Sequence, residues 1–439
     1  MPDTHRVVIV GGGFAGLYAA MNLKRVPVEA TLVDRRNFHL FQPLLYQVAT
    51  GTLSPGDIAA PIRVVLSKRR NVRVIMGEVV DLDVENRRVI MSDGELPYDT
   101  LVLAPGSRQN YFGHDEWEAL APGLKSVEAA TQVRSRILVS LEAAEREEDP
   151  ECAKAYLTFV VVGGGPTGVE IAGAVSEVVH DALRGDFRRI ANCTPRILLI
   201  QGGDRLLPTY PEDLSAAARR YLEDLRVEVW THARVTGIHP EQVSVRHQDG
   251  RIEAVDAHTI LWAAGVAPSP LTRVLAQRAG IELDPGGRVL VGPDLSVPGR
   301  PEIFVLGDAA HVKDAHGEPL PALAATAQQE GYYVAKAIRW RLEGKPVKPF
   351  HYRNYGEMAT VGRARALANF GRFKVKGFIA WVLWLFIHLM KLVGFENRLS
   401  VFVQWAWSYT SYRRTASLIT GEDPLPFQRI EDGAKRTPD

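Results

Sequence analysis

Val7-Val8-Ile9-Val10-Gly11-Gly12-Gly13-Phe14-Ala15-Gly16 decides the fold. Four β-branched residues make a short buried strand, and Leu17-Tyr18-Ala19-Ala20-Met21-Asn22-Leu23 reads as the helix that follows it. Between them Gly11, Gly13 and Gly16 fit the pattern G-x-G-x-x-G. The first glycine makes a tight turn, the second lets backbone approach a pyrophosphate, and the third lets helix and strand pack closely. The helix N-terminus offers unpaired N–H groups and the positive end of its dipole to the phosphates. An acidic residue closing the next strand should hold a ribose hydroxyl, and Ala30-Thr31-Leu32-Val33-Asp34 supplies it.

The same fingerprint recurs. Phe159-Val160-Val161-Val162-Gly163-Gly164-Gly165-Pro166-Thr167-Gly168 is again strand and glycines, followed by the helix Val169-Glu170-Ile171-Ala172-Gly173-Ala174. Two dinucleotide folds in one chain imply two nucleotides brought face to face, the layout of a flavoprotein reductase in which a nicotinamide delivers hydride to a flavin. The expected class is α/β, with two Rossmann-like dinucleotide-binding domains and a C-terminal amphipathic helical region that anchors on a membrane.

Composition agrees. The chain has 439 residues, 46% hydrophobic and 23% charged, which suits a globular chain of two or three domains. A net charge of +1 gives no reason to expect nucleic acid. Cys152 and Cys193 form no C-x-x-C, which argues for a reducing compartment and against a disulfide framework or zinc site. The first strand begins almost at once, leaving no room for a signal peptide.

After Asp34, Arg35 and Arg36 face either phosphate or a solvated turn. The stretch from Phe41 to Gly51 mixes amides, aromatics and proline, as expected of a loop walking beside a flavin ring. His39 reads as a structural hydrogen-bonder. Val72 to Asp83 and Arg88 to Met91 alternate like strands. Ala104-Pro105-Gly106 ends a buried strand where two-nucleotide flavoproteins usually have Ala-Thr-Gly, so backbone contacts survive but a threonine hydroxyl is missing. Leu124 to Glu148 is a charged helical stretch ending at Asp149-Pro150.

In the second nucleotide fold the strand Arg196 to Ile200 is followed by Gln201, where an NADH-selective site wants a carboxylate. Glutamine neither fills that role nor repels a 2′-phosphate, and Arg205 is close by, so NADPH stays open as a donor. The long spacing from Gly163 to Gln201 suggests an insertion near residues 180–195. Thr259 to Val266 closes this domain with a strand into the Ala264-Gly265 turn. The strand Glu302 to Leu306 then ends in Gly307-Asp308, where glycine allows close approach and the carboxylate can accept hydrogen bonds from a flavin's ribityl and phosphate region. A helix from about Pro321 to Arg341 follows, its N-terminus toward the flavin.

The C-terminal region changes character. Phe378 to Lys391 is apolar but shorter than the ~20 residues a spanning helix needs. Beyond Gly394, Leu399, Phe402, Val403 and Ala406 recur at helical spacing, interleaved with Trp405, Trp407, Tyr409 and Tyr412 and followed by Arg413-Arg414. Aromatic and basic residues edging an apolar surface suit a membrane interface. A dimer interface, or packing on the core, would use the same residues. The expectation is monotopic attachment, and ending the chain before Lys374 should then release competent protein into the soluble fraction.

With these residues in hand, the chain resembles the type II NADH:quinone oxidoreductases, single-subunit NADH dehydrogenases that do not pump protons. The likeness covers both fingerprints, Phe41 to Gly51, Trp262-Ala263-Ala264-Gly265-Val266, Leu306-Gly307-Asp308-Ala309 and the tail from Gly394 to Arg414, which related soluble reductases lack. It implies hydride transfer from NADH to non-covalent FAD, two electrons passed on to a quinone, no metal, a homodimer, and a place on the cytoplasmic face of the cell membrane. It divides the chain into an FAD domain (1–115 and 286–373), an inserted NAD(P)H domain (116–285) and a membrane-association region (374–439). For FAD it implies Gly11, Gly13, Phe14, Ala15, Gly16, Asp34, Arg35, Asn37, Gln42, Val79, Ala104, Gly106, Gly307, Asp308 and Ala324. For NADH it implies Gly163, Gly165, Pro166, Thr167, Gly168, Gln201, Ala264 and Gly265. For quinone it implies Tyr46, Ala325, Gln328 and Lys376. Glu170 matches the family's glutamate near the flavin–nicotinamide contact, where a carboxylate steers the nicotinamide or relays protons; otherwise it caps the helix start. One departure stands out: Ala325 occupies the place of a glutamine that many members turn toward quinone.

A sulfide:quinone oxidoreductase would share the fold, but its chemistry needs a redox-active cysteine pair near the flavin, and neither Cys152 nor Cys193 is placed for that. A glutathione-type dithiol reductase fails for want of C-x₄-C after the first fingerprint. A membrane-bound redox sensor with little turnover is compatible with the paired sites and the tail.

Overall fold

The strand that opens the first fingerprint, His5–Val10, lies inside a six-stranded sheet with Val7 to Val10 buried. It belongs to a computed structural model that describes residues 4–24, 26–314, 316–411, 416 and 418–420. The sheet runs in the order Ser296–Val297, Arg300–Val305, Thr100–Leu103, His5–Val10, Val28–Asp34, Val72–Met76. It is parallel except at the Ser296–Val297 edge. Strands covered on both faces need continuous apolar runs, which is what the sequence supplies. Gly11 turns the chain out of the sheet at φ +101°, and a Cβ there would lie 2.2 Å from the Ala104 carbonyl oxygen. Helix α1 (Phe14–Asn22) follows.

The second fingerprint repeats this geometry. Thr158–Val162, every residue buried, sits in a parallel four-stranded sheet with Val227–Trp230 and Arg196–Ile200 on one side and Thr259–Trp262 on the other. Gly163 turns at φ +112°, its would-be Cβ 2.7 Å from the Ala263–Ala264 peptide. Helix α2 (Pro166–Gly185) is 20 residues long, so much of the extra spacing before Gln201 is helix. The rest is a turn whose Arg188, Arg189 and Ile190 N–H groups donate to the Glu145 carboxylate.

The chain partitions into two units: residues 1–40, 59–108 and 266–355 form one, and residues 41–58, 109–265 and 356–439 the other. In the first unit, helix α3 (Ala324–Leu342) starts later than Pro321 because the backbone is still extended at Leu323, its N-cap. α3 crosses α1 at Gly331, where a Cβ would meet the Ala15 oxygen at 2.1 Å. The stretch read as one strand from Val72 to Asp83 breaks at Gly77, whose N–H donates to the Asp34 oxygen. Val79–Asp83 then joins a separate three-stranded antiparallel sheet.

In the second unit, the charged stretch forms Val127–Arg146, capped by the Ser126 hydroxyl, which accepts the Ala129 N–H. Asp149-Pro150 does not merely end it. Asp149 caps a further helix, Pro150–Tyr156, with proline at its first turn. The C-terminal region begins with an antiparallel sheet of Glu357–Thr360, Ala366–Asn369 and Lys374–Gly377. Helices α4 (Phe378–Lys391) and α5 (Phe395–Ser411) follow.

These two helices are part of a core. Trp384 is fully buried, stacked on His388 at 4.1 Å, with Tyr46 and Trp405 rings at 6.4 Å and 5.8 Å. Trp405, expected at a membrane edge, points inward instead, its Nε1–H donating to Gln47 Oε1 at 2.7 Å. Buried Asp57 accepts from Ser400 Oγ at 2.6 Å and Gln404 Nε2 at 3.0 Å. The segment Phe41–Ile58 therefore packs with the terminal helices. A cut before Lys374 would strip one strand from its sheet and remove Trp384 and Trp405, so it does not isolate an anchor. The outer face is another matter: Phe378, Ile379, Val382, Phe386, Met390, Leu399, Phe402, Val403 and Trp407 are all exposed. Among the described residues no helix is long and apolar enough to cross a membrane. Tyr412, Arg413 and Arg414 lie outside the described residues, and of the Tyr409 side chain nothing is described.

Gly331→Ala tests the helix crossing. The new methyl group should cost about 1–3 kcal/mol, read as a lower denaturant midpoint, and an unchanged midpoint would show that α1 and α3 can part at no cost.

Candidate functional site

In the first unit the residues around α1 form a cradle. A Cβ on Gly13, the N-cap, would meet nothing within 4 Å, and α1 has neither a side-chain cap nor an acid in its first turn. Its first N–H groups are thus open to an anion. Asp34 accepts the Gly12 N–H at 2.6 Å through one oxygen and the Arg36 N–H at 2.7 Å through the other. It keeps lone pairs for a ribose hydroxyl. This donor set fits the adenosine diphosphate half of FAD. Phe14 stands edge-on to His39 at 5.0 Å. His39 Nδ1–H donates to the Gly12 oxygen at 3.0 Å, and burial lowers the ring's pKa, so the ring is neutral. Its role is structural, as expected.

Of the remaining flavin candidates of this unit, Ala15 lies on α1 and Ala324 starts α3, and the others lie beside strand ends. Ala15 and Ala104 are buried, Val79 and Ala324 half-buried, and Arg35 and Asn37 exposed, with Arg35 3.8 Å from Glu78. Gly106 and Gly307 both take positive φ. Ser107 Oγ donates to Asp308 at 2.5 Å, so a hydroxyl one residue past the Pro105 turn meets the aspartate. Glu330 was not anticipated: it is buried on α3 and accepts the Gly307 N–H at 2.5 Å. Burial, opposed by that N–H, pushes its carboxyl up to about 8. Ala325 is half-buried and Gln328 buried on α3, while Gln329 is committed to the backbone of Arg353 by two bonds of 3.0 Å.

The second unit holds a matching cradle. A Cβ on Gly165 would again meet nothing within 4 Å, and α2 starts without a side-chain cap or an acid, with Pro166 and Thr167 exposed. Gln201 Oε1 accepts the Gly164 N–H at 2.9 Å, the counterpart of the Asp34 bond. The amide NH₂, a donor, is what remains to face a nucleotide. Arg205 donates to the Pro208 oxygen at 2.9 Å. The Ala264-Gly265 turn is held by Gln109, whose Nε2 donates to both carbonyls at 2.9 Å and 2.7 Å. Phe112, in the left-handed region at φ +55°, lays its exposed ring against Gly265. Sequence reading missed both residues; an amide close behind the Ala104–Gly106 turn was the available signal.

Glu170 is half-buried on α2, with the Thr360 N–H donating to it at 3.4 Å. Burial pushes its carboxyl up to about 8, the N–H pulling the other way. Two turns along, Glu177 accepts the Arg363 N–H at 2.5 Å, and between them a Cβ on Gly173 would touch the Gly362 nitrogen at 2.9 Å. One face of α2 thus grips the turn from Thr360 to Arg363. Tyr46 is buried, its OH 3.0 Å from Thr360 Oγ1. Lys376 is exposed on its strand, and Gln42 is exposed with a long 3.4 Å bond to the Lys125 oxygen. Gln42, Tyr46, Glu170 and Lys376 belong to the second unit; Ala325 and Gln328 belong to the first.

Two parallel-sheet units, each with an uncapped glycine-rich helix start, define a pyridine nucleotide-disulphide oxidoreductase, and the model of that family matches residues 5–331. Within it, the chain belongs to the type II NADH:quinone oxidoreductases. It is 43% identical to the type II NADH:quinone oxidoreductase Ndh of Mycobacterium tuberculosis, over 99% of this chain and 94% of that protein. To NdhA of the same organism it is 42% identical, over 95% and 90%. The structure of NDH2 from Plasmodium falciparum in complex with NADH has the same fold, with TM-score 0.86 at 19% identity, covering 95% of this chain and all of that one.

Replacing the neutral amide by a carboxylate returns an acceptor for the ribose 2′-OH and repels a 2′-phosphate. Gln201→Glu should raise the NADH/NADPH ratio of kcat/KM by about tenfold, equivalent to ~1.4 kcal/mol. An unchanged ratio would mean that Gln201 does not read the ribose.

Proposed function

We propose that this chain holds FAD non-covalently, takes hydride from NADH, and passes two electrons to a quinone without pumping protons. In this reading it works as a homodimer docked monotopically on the cytoplasmic face of the cell membrane. The observation that carries the reading is the pair of open, uncapped fingerprint helices, one in each unit. We assign FAD to the first, held by the Gly11, Gly13 and Gly16 backbone, Asp34, Gly106 and Asp308. NADH goes to the second, held by Gly163, Gly165, Gly168, Gln201 and the Ala264-Gly265 turn. When bound, the flavin supplies two-electron chemistry between hydride donor and quinone.

The protein's own residues do the rest. The α1 and α2 N-termini neutralise pyrophosphate charge. Glu170, kept protonated by burial up to about pH 8, donates a hydrogen bond or a proton beside the nicotinamide. Tyr46 and Lys376 in the second unit are assigned polar contacts for quinone; Gln328 and Ala325, assigned to quinone as well, belong to the first unit. Quinone is lipid-soluble, and the exposed apolar face of α4 and α5 supports a membrane surface as the place where it is met. Sulfide chemistry has no support: Cys152 and Cys193 are both exposed, and the Asp149 charge holds the Cys152 thiol above its usual pKa, away from the reactive thiolate.

Anaerobic titration tests the activity. NADH should bleach the flavin absorbance and a soluble ubiquinone analogue should restore it. Bleaching by sulfide alone would overturn the reading in favour of a sulfide enzyme, and bleaching without recovery would leave a sensor.

A second prediction addresses the membrane. Phe386→Ser with Phe402→Ser should move the protein from sedimenting vesicles to the supernatant, with kcat toward the soluble analogue held within about twofold, since exposed positions carry little stability. Retention on vesicles would refute docking through this face.

A further inference from the structure

A run of buried hydrogen bonds links α5 to the neighbourhood of Glu170. Trp405 Nε1–H donates to Gln47 Oε1 at 2.7 Å, and Gln47 Nε2 donates to the Tyr46 hydroxyl oxygen at 3.0 Å. Indole N–H and amide NH₂ only donate, which fixes the direction of both bonds. The Tyr46 hydroxyl lies 3.0 Å from Thr360 Oγ1, a hydroxyl–hydroxyl bond that carries the run on to Thr360. The Thr360 N–H then donates to Glu170 at 3.4 Å. Trp405, Gln47, Tyr46 and Thr360 are 4%, 3%, 8% and 2% exposed, so water does not compete for these bonds.

We propose that Thr360 is a positioning residue for Glu170, itself held by the run of buried hydrogen bonds that starts at Trp405 in α5. The inference rests on Glu170 being the working carboxyl of the site. The Tyr46–Thr360 bond holds in place the residue whose backbone N–H donates to Glu170. The run thus favours the charged carboxylate against the burial that opposes it. A disturbance of α5 reaches Glu170 through a run of side chains rather than by direct contact.

Other groups do not account for this bias. Tyr210 stands near both Glu170 and Glu357, but burial raises the pKa of Tyr210 and of Glu357 and keeps them neutral longer. Glu357 accepts from Thr209 at 3.3 Å. On α2 itself Glu177 is tied to the Arg363 N–H. On the neighbouring helix Glu212–Asp224, Arg219 pairs with Glu223, Asp213 with Lys374 and Asp224 with Arg365. On the adjoining strands Arg196 pairs with Glu228.

The test follows the protonated-carboxyl C=O band of the FAD-loaded full-length protein by infrared pH titration, with Glu170→Gln identifying the band by its loss. Wild type should titrate near 8. Thr360→Val should move that midpoint upward by about half a unit or more, while Thr360→Ser should titrate with wild type. Trp405→Phe keeps an aromatic side chain but removes the N–H together with the pyrrole half of the indole, and should shift the midpoint the same way by less. A wild-type midpoint in Thr360→Val overturns the proposal. Should that variant fail to fold, a wild-type midpoint in Trp405→Phe overturns it equally. If the band moves as expected while Glu170→Gln still bleaches normally with NADH, the positioning stands and the catalytic reading of Glu170 falls.

Discussion

Everything about the two nucleotide cradles depends on one hydrogen bond made twice. The N–H of the middle glycine in each fingerprint donates to the side chain that ends the next strand, Gly12 to Asp34 and Gly164 to Gln201. That bond ties the glycine turn to the neighbouring strand. The turn then cannot swing back over the helix start, and the first N–H groups of α1 and α2 stay turned outward. The close approaches at Gly11 and Gly163 brace the turns from the other side, against the backbone of Ala104 and of Ala263–Ala264. A side chain at either glycine would force this arrangement open. The binding chemistry is thus a property of backbone placement, and the side chains serve to hold the backbone there.

The second unit rests on a different solution. Its terminal helices are joined to Phe41–Ile58 by a seam that is polar as well as aromatic: Asp57 with Ser400 and Gln404, Gln47 with Trp405, and Trp384 among three rings. Buried polar groups are tolerated because most find partners, and each partner fixes a register that apolar packing alone would leave loose. His388 shows the cost of that burial: its pKa is driven down to about 4, so it stays neutral while donating to the Trp384 oxygen.

Both nucleotide folds were legible in the sequence because their demands are local. A buried strand, glycines at fixed spacing and a helix start all fall within a dozen residues, and nothing distant can alter the requirement. The apolar character of Phe378 to Lys391 was legible for the same reason. What escaped was decided by contacts between distant segments. Trp405 looks like its neighbour Trp407 in sequence, yet one is bonded to Gln47 and the other exposed. Asp149-Pro150 looks like a stop but begins a helix, because a cap and a terminus use the same residues. Gln109, Glu330 and Thr360 are ordinary in sequence, and their roles come from partners 155, 23 and 190 positions away.

On the proposed assignment, the difference between Asp34 and Gln201 bears on how long each guest stays. In the first cradle the Asp34 carboxyl group is already locked by two N–H groups, and on the proposed assignment its remaining lone pairs face a ribose hydroxyl. In the second a neutral amide spends its oxygen on Gly164 and greets the ribose with a weaker, uncharged contact. Slow departure suits a group carried through many turnovers, and rapid departure suits one exchanged at each. On that assignment one carboxylate and one amide, at the same station of the same fold, separate a tenant from a visitor.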